Sequence, residues 1–194
     1  MKESSSGLFQ HPAVRRFLVR MRVPIVVLAV VLLAPFVRRE WLLPGFLVSM
    51  FGELIQLWCF ASLDKNATLT ARGPYTMVRN PMYLGRFFIL LGFVLLLGNG
   101  WLALAYAVIY WLYMDARVRR EEAHLRPIFG AAYEAYCRTV HRFVPTLPAT
   151  GQPLRYWNGK LFRQNNAGFN LAATLLVWAL VAAWGLWGQP LTRA

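Results

Sequence analysis

Arg117 and Glu121 are the charged residues whose types and spacing best suit the binding of a charged ligand. On a helix, residues four positions apart share a face, so the guanidinium and the carboxylate would lie side by side. A guanidinium holds a carboxylate or a phosphate through two parallel hydrogen bonds, and a carboxylate accepts hydrogen bonds from ammonium and hydroxyl groups. The alternative is that this arginine-rich stretch only anchors the chain and that its glutamates are surface partners.

A second polar segment contains two turn signals, Gly73-Pro74 and Asn80-Pro81. Proline fits the first turn of a helix, so we expect a helix to begin at Pro81. The first turn of a helix offers unpaired backbone N–H groups, and here they would lie beside the phenol of Tyr83. This loop is therefore a second candidate for binding a polar ligand.

Glu53 stands near the middle of a long apolar run, on the same helical face as Ser49 and Gln56. A carboxylate is costly at that position in a bilayer. One interpretation is that the stripe lines a polar cavity, which would make Glu53 an acceptor-binding residue. The other is a structural tie, either an ion pair with Arg86 or a hydrogen bond to a neighbouring helix.

Long apolar runs are the elements that must position these residues. A bilayer core requires roughly 20 helical residues, a length that two of the runs reach. Two shorter runs are joined by Gly98-Asn99-Gly100, which predicts a tight helical hairpin. The runs are residues 23–37, 41–63, 82–98, 101–114 and 169–187. We therefore predict an all-α integral membrane protein with about five transmembrane helices.

The first run admits an alternative, because a basic segment precedes it as in a secretory signal peptide. No A-x-A-like cleavage site follows, and Arg38-Arg39 comes at once, so we favour a span whose flanking arginines extend to the surface. In residues 8–22, apolar and basic side chains recur at helical spacing, which predicts a basic amphipathic helix on the membrane surface within the N-terminal segment 1–22.

The net charge of +13 belongs to a chain that is 58% hydrophobic and 15% aromatic. This composition excludes a disordered chain and disfavours a soluble nucleic-acid-binding protein. With a cytoplasmic N-terminus, most of the 21 Lys and Arg residues fall on the cytoplasmic side, in agreement with the positive-inside rule. We therefore expect membrane lipids as partners and no nucleic acid, an inner-membrane location, and a cytoplasmic site around Arg117.

Metal and dinucleotide sites are not indicated. Cys59 and Cys137 form no C-x-x-C pair, and His11, His124 and His141 stand singly, so we expect no metal site. The segment GNGWLA fits the pattern G-x-G-x-x-A, but no predicted strand precedes it, so a dinucleotide-binding turn is not expected.

Two motifs, taken together, resemble those of the isoprenylcysteine carboxyl methyltransferase family. They are GPYTMVRNPMYLG, which begins at Gly73, and EEAHLRPIFGAAYEAY, which is followed by RFVP. The similarity runs from Thr68 to Pro145 and encloses the predicted hairpin. The wider group of membrane methyltransferases that includes this family also contains the phospholipid N-methyltransferases.

The resemblance implies an S-adenosylmethionine site on the cytoplasmic side, formed by the loop before the hairpin and the helix after it. Glu121 would contact the cofactor and Arg117 would face the acceptor, so these are the expected catalytic residues. The family usually has His where this chain has Asn80, and an amide does not titrate near neutral pH. The other expected cofactor residues are Ala67, Thr68, Leu69, Thr70, Tyr75, Asn80, Pro81, Met82 and Tyr83.

The resemblance further implies methylation of a lipophilic acceptor. An arginine that faces the acceptor favours an anionic group, and hence carboxyl O-methylation over the phospholipid type of N-methylation. A sterol-reductase-like NADPH enzyme and a non-catalytic membrane scaffold are the alternatives from other classes. The sequence leaves the identity of the acceptor and the oligomeric state open.

These interpretations divide the chain into five segments. One of them, the interfacial linker at residues 146–168, could alternatively act as a lid over the site. The segments are the basic amphipathic residues 1–22, two transmembrane helices in 23–63, a methyltransferase core in 64–145, an interfacial linker in 146–168, and a C-terminal transmembrane helix and tail in 169–194.

Overall fold

The computed structural model describes residues 32–64, 68–147 and 151–188. The chain divides into two compact units, Met1–Val37 and Arg38–Ala194. The described part of the first unit holds a 3₁₀ turn, Ala34–Phe36. The predicted amphipathic segment, most of the first predicted span and Ala67 lie outside the described residues, and so do 189–194.

The described part of the second unit is helical and has no strand, as the sequence predicts. Two stretches, Arg39–Ser62 and Ala167–Trp187, are long and apolar enough to cross a membrane. Its α-helices are α1 (Leu42–Ser62), α2 (Pro81–Leu95), α3 (Gly100–Thr139), α4 (Gly159–Gln164) and α5 (Ala167–Ala183). A π-helical turn, Trp184–Gly188, extends α5, and 3₁₀ turns lie at Arg39–Trp41 and Gly73–Thr76.

The predicted hairpin between α2 and α3 is confirmed. Gly98 takes a positive φ of 58°, and the side chain of Asn99 accepts hydrogen bonds from the backbone N–H groups of Trp101 and Leu102 at 2.9 and 3.3 Å. This is an N-cap that satisfies two of the free donors at the start of α3. The hairpin therefore ends one helix and begins the next by local chemistry alone.

Helix α3 continues past its apolar part, so the predicted fourth span and the cytoplasmic helix are a single element. Near its end, Gly130 has φ 51° and ψ −130°, three residues after Pro127. Proline removes a helix hydrogen bond and glycine accepts this backbone conformation, so the last turns change direction here. Tyr133 and Tyr136 are then buried together with Val140 in a small core.

Helices α1 and α2 pack antiparallel through glycines. A Cβ on Gly52 would lie 2.5 Å from the carbonyl oxygen of Gly85, and a Cβ on Gly45 would lie 2.5 Å from that of Gly92. Small residues allow helix backbones to approach this closely, a common arrangement in membrane proteins. The packing brings the C-terminal end of α1 to the end of the bundle at which Pro81 begins α2.

The polar stripe on α1 joins the helices. Glu53 is only 1% exposed; its Oε1 accepts from Asn170 Nδ2 at 2.9 Å and its Oε2 accepts from Thr174 Oγ1 at 3.0 Å. Ser49 Oγ donates to the carbonyl oxygen of Ile89 in α2 at 2.7 Å. These contacts match the interpretation of Glu53 as a tie to a neighbouring helix, here α5, whereas its role toward an acceptor stays a prediction.

Glu53→Gln is expected to lower the free energy of unfolding by about 1 kcal/mol, because an amide offers one oxygen where the two donors of α5 now have two. Methyl transfer per folded molecule, the activity that the resemblance implies, is expected to be retained. Thermal unfolding in detergent measures the first quantity, with Glu134→Gln on the exposed part of α3 as control. Unchanged stability together with lost activity would instead support the acceptor-binding interpretation.

Candidate functional site

Tyr83, Glu121 and Arg117 form a polar cluster where α2 begins beside α3. The phenol of Tyr83 donates to Glu121 Oε2 at 2.7 Å, and Arg117 Nε donates to the phenol oxygen at 3.4 Å. Tyr83 is buried, whereas Glu121 and Arg117 are exposed. The hydrogen bond to Tyr83 raises the pKa of Arg117, so its guanidinium stays charged. The predicted shared face of Arg117 and Glu121 is confirmed, and Tyr83 links the two.

Tyrosines of α3 fix the position of Tyr83. The phenol of Tyr110 donates to the backbone carbonyl oxygen of Tyr83 at 2.7 Å, and that of Tyr106 donates to the carbonyl of Phe87 at 3.0 Å. Tyr83 and Tyr110 also belong to one buried core with Met114. The first two turns of α2 are thereby held against α3, and the cluster does not depend on a loop for its geometry.

An apolar cavity of about 260 Å³ lies between α2 and α3 and is connected to this cluster through Tyr110. Tyr110 belongs to both places, because its ring lines the cavity and its hydroxyl holds the backbone of Tyr83. A pocket with an apolar body and a few polar groups at one end suits a ligand that has an oily part and a charged part. The cavity is lined by Leu84, Phe87, Ala107, Tyr110, Trp111, Met114 and Phe143.

Glu122, adjacent to Glu121 in sequence, lies inside the protein. It is 3% exposed and holds the guanidinium of Arg142 at 2.6 and 3.1 Å, and Arg79 Nη1 lies 3.5 Å from its Oε1. Arg142 Nη1 also donates to Asp115 at 3.2 Å. The hydrogen bonding of the Arg142 guanidinium to Glu122 raises the pKa of Arg142. Arg119 also pairs with Asp115 at 2.7 Å, so two carboxylates bind three guanidiniums. Every charge in this network has an opposite partner, which explains how the inner ones tolerate burial.

The RFVP segment pairs with the polar loop, which explains why the two motifs occur together. The backbone N–H of Arg79 donates to the carbonyl of His141 at 2.9 Å, and that of Thr146 donates to the carbonyl of Met77, also at 2.9 Å. Asn80 Nδ2 donates to the carbonyl of Arg142 at 3.4 Å. Asn80 therefore contributes an amide contact to this junction, which needs no titrating group.

The other predicted cofactor residues lie along the same loop. Tyr75 is buried, its carbonyl accepts from the phenol of Tyr136 at 2.7 Å, and burial raises the pKa of its own phenol. Thr70 Oγ1 accepts from the backbone N–H of Asp64 at 3.2 Å, and Leu69 packs on the Tyr133 and Tyr136 core. Thr68 is exposed, Pro81 is buried, and Met82 is half-buried in the first turn of α2.

Sequence reasoning missed the role of residues 151–166, which we name the C-terminal strap. The backbone N–H of Gly73, a residue at φ 60°, donates to the carbonyl of Pro153 at 3.0 Å. The guanidinium of Arg72 lies 4.3 Å above the ring of Tyr156, whose carbonyl accepts from Trp58 Nε1 at 3.2 Å. The strap is therefore bonded to the predicted cofactor loop and to α1.

The strap also caps the end of α1. Asn165 Nδ2 donates to the carbonyl oxygens of Phe60 and Leu63 at 2.9 and 2.8 Å. The backbone N–H of Asn158 donates to the carbonyl oxygen of Ala61 at 3.0 Å. Carbonyls at a helix end need such partners. The sequence signal for this role was the presence of Asn158 and Asn165 in the segment predicted as an interfacial linker, because asparagine side chains commonly bond backbone groups at helix ends. Their hydrogen bonds show that the strap is fastened to the helix bundle and does not only follow the membrane surface.

Comparison with known proteins supports the resemblance. A family described as phospholipid methyltransferase matches residues 43–132. The protein-S-isoprenylcysteine O-methyltransferase of Schizosaccharomyces pombe is 36% identical over 85 residues, which cover 44% of this chain and 36% of that protein. A probable protein-S-isoprenylcysteine O-methyltransferase of Oryza sativa subsp. indica is 27% identical over 128 residues, covering 59% and 67%, respectively.

The human protein-S-isoprenylcysteine O-methyltransferase is 28% identical over 118 residues, which cover 54% of this chain and 42% of that protein. No solved structure matches. The chain thus spans between about a third and two thirds of the length of these relatives. Through the core that contains both motifs, the chain is similar to proteins of the isoprenylcysteine carboxyl methyltransferase family and to the phospholipid methyltransferase family.

Proposed function

We propose that the chain is an integral-membrane, S-adenosylmethionine-dependent methyltransferase that acts on a lipophilic acceptor. The observation that carries the proposal is the cluster of Tyr83, Glu121 and Arg117, which Tyr110 links to an apolar cavity. Matches to relatives named as O-methyltransferases support it. The membrane-compatible stretches Arg39–Ser62 and Ala167–Trp187 fit an acceptor that enters from the bilayer.

The donor set of the site fits the proposed cofactor. Glu121 is an exposed carboxylate that suits an ammonium group or ribose hydroxyls. The backbone N–H of Tyr83 donates to the carbonyl of Asn80 at 3.2 Å, but the side chain of Asn80 does not cap α2. The positive end of the helix dipole at Pro81 and Met82 therefore suits a carboxylate. The loop at residues 67–70 and Tyr75 would complete this half of the site.

S-adenosylmethionine supplies a methyl group already activated by its sulfonium. The residues therefore need to position an acceptor atom more than to move a proton. Arg117 would hold an acidic group of the acceptor and present its oxygen, while the cavity beside Tyr110 takes the apolar part. Since a carboxylate is already deprotonated at neutral pH, the site needs no general base. We therefore favour carboxyl O-methylation.

Phospholipid-type N-methylation is the second candidate, because the matching family bears that description. An amine acceptor must lose a proton before or during transfer, and Glu121 is the carboxylate in the cluster that could take it. We further propose an inner-membrane location with about five spans and the site on the cytoplasmic side, supported by the uneven distribution of Lys and Arg.

Calorimetric titration of the purified chain with S-adenosylmethionine and with NADPH tests the proposal. We expect heat of binding with S-adenosylmethionine only. Labelled methyl transfer to an S-farnesylcysteine analogue, compared with transfer to phosphatidylethanolamine vesicles, then separates O- from N-methylation. Binding of NADPH alone would support a reductase, and a folded chain that binds neither compound would be a scaffold.

Replacing Tyr156 with leucine is expected to raise the KM for S-adenosylmethionine two- to fivefold with little change in kcat. The reason is that the stacking of Arg72 on this ring, worth about 0.5–1 kcal/mol when partly exposed, helps to hold the cofactor loop. Steady-state kinetics measure both constants. Tyr156→Phe keeps the ring and is expected to behave as the wild type. If the leucine variant had the same KM and kcat as the wild type, the strap would not position the loop.

A further inference from the structure

Arg86 is a cation on the apolar helix α2 to which the proposed reaction gives no role. Its guanidinium lies 5.6 Å from the centre of the Tyr83 ring, and its Nη2 lies 3.6 Å from Met82 Sδ. Arg86 and Tyr83 are three residues apart and share a helical face. Because Arg117 binds the phenol oxygen of the same tyrosine, Tyr83 contacts a guanidinium at its ring and another at its hydroxyl.

The position of Arg86 fits the boundary of a membrane. It is five residues after Pro81, so its Cα lies about 7.5 Å along the helix from the start of α2. The side chain is exposed and extends toward Tyr83, close to the polar end of the bundle. Long arginine side chains reach the interface from such a depth. The charge is thus available to a ligand whose apolar part lies among the helices.

Arg86 and Arg117 differ from the more buried Arg79 and Arg142 in whether a carboxylate pairs with the guanidinium. Arg79 and Arg142 are compensated by Glu122 and by Asp115. Among the residues that the structure describes, neither Arg86 nor Arg117 forms a salt bridge. The carboxylate of their cluster is that of Glu121, which is bound by the phenol of Tyr83. Two guanidiniums therefore contact Tyr83, which binds a single carboxylate, and these four side chains together carry an excess positive charge.

An excess positive charge near an apolar cavity favours an anionic amphiphile, because the charge attracts the acidic group while the cavity takes the apolar part. We propose that Arg86 is a second binding residue for the acidic head group of the acceptor, acting together with Arg117. The inference rests on the proposed function and narrows it: the acceptor is an amphiphile whose carboxylate both binds the two guanidiniums and receives the methyl group. Arg86 then determines specificity for charge, while the cavity selects for the apolar chain.

Equilibrium binding of two labelled probes to the purified full-length chain tests this role. The probes are N-acetyl-S-farnesylcysteine, which carries a carboxylate, and its uncharged carboxamide. We expect the wild type to bind the carboxylate at least tenfold more tightly, and Arg86→Gln to lose about tenfold in affinity for the carboxylate only. Arg86→Lys keeps the charge and is expected to recover part of the preference. Arg120→Gln, an exposed cation on α3, is the matched control.

The proposal would be overturned if Arg86→Gln lowered the affinity for both probes equally, so that the ratio of the carboxylate affinity to the carboxamide affinity stayed as in the wild type. Weaker binding of S-adenosylmethionine with an unchanged ratio would also overturn it, since Arg86 would then bind the carboxylate of the cofactor. The proposed function is judged separately, by cofactor binding and methyl transfer in the wild type. Methyl transfer with an unchanged ratio refutes the role of Arg86 alone, whereas absence of cofactor binding refutes the methyltransferase.

Discussion

Glu121→Gln is expected to lower kcat/KM for S-adenosylmethionine about a hundredfold, the size of effect that follows when a charged hydrogen-bond partner is lost at a reacting site. The carboxylate is held 2.7 Å from the Tyr83 hydroxyl, so it is already oriented before a ligand binds. An amide of the same shape keeps an acceptor oxygen but loses the charge that suits an ammonium group. The loss should be expressed mainly in the affinity for the cofactor.

Steady-state kinetics with labelled S-adenosylmethionine measure this effect, and Arg117→Ala is the companion variant. Removing the guanidinium should impair turnover more than cofactor affinity, because Arg117 is proposed to orient the acceptor. Glu134→Gln removes a carboxylate from the exposed, distal part of α3 and should leave both constants unchanged. If the Glu121 and Arg117 variants both keep wild-type kinetics, the roles transferred from the family are wrong.

The part of the site that sequence could predict is the part governed by local geometry. Arg117 and Glu121 share a face because residues four apart do so on any helix. Pro81 begins α2 as predicted, and the turn predicted at Gly98-Asn99-Gly100 separates α2 from α3. Each of these features depends on a few neighbouring residues, so no knowledge of distant contacts was required.

Features that depend on distant partners could not be predicted. Glu121 and Glu122 are adjacent and identical in type, yet the first is exposed and the second is buried against Arg142, twenty residues later. Only the packing of α3 against the segment after it decides which face becomes interior. The partners of Glu53 likewise lie 117 and 121 residues away in α5, a distance over which sequence spacing carries no information.

Glu122→Gln is expected to lower the free energy of unfolding by about 3 kcal/mol, because it leaves the guanidiniums of Arg79 and Arg142 without their shared counter-charge in a buried place. Asp115 still contacts Arg142 at 3.2 Å, and Arg142 is partly exposed, so the effect should lie near the lower end for a broken buried pair. Thermal and denaturant unfolding in detergent measure the loss.

The neighbouring carboxylate provides the matched control for this prediction. Glu121→Gln changes the same functional group one residue away, but on the exposed face, so its unfolding should match that of the wild type. The two variants should therefore show opposite results: Glu121→Gln loses activity and keeps stability, whereas Glu122→Gln loses stability first. Equal stability of all three proteins would mean that the ion pairs of Glu122 with Arg142 and Arg79 contribute no net stabilisation, because the desolvation of these charges cancels their attraction.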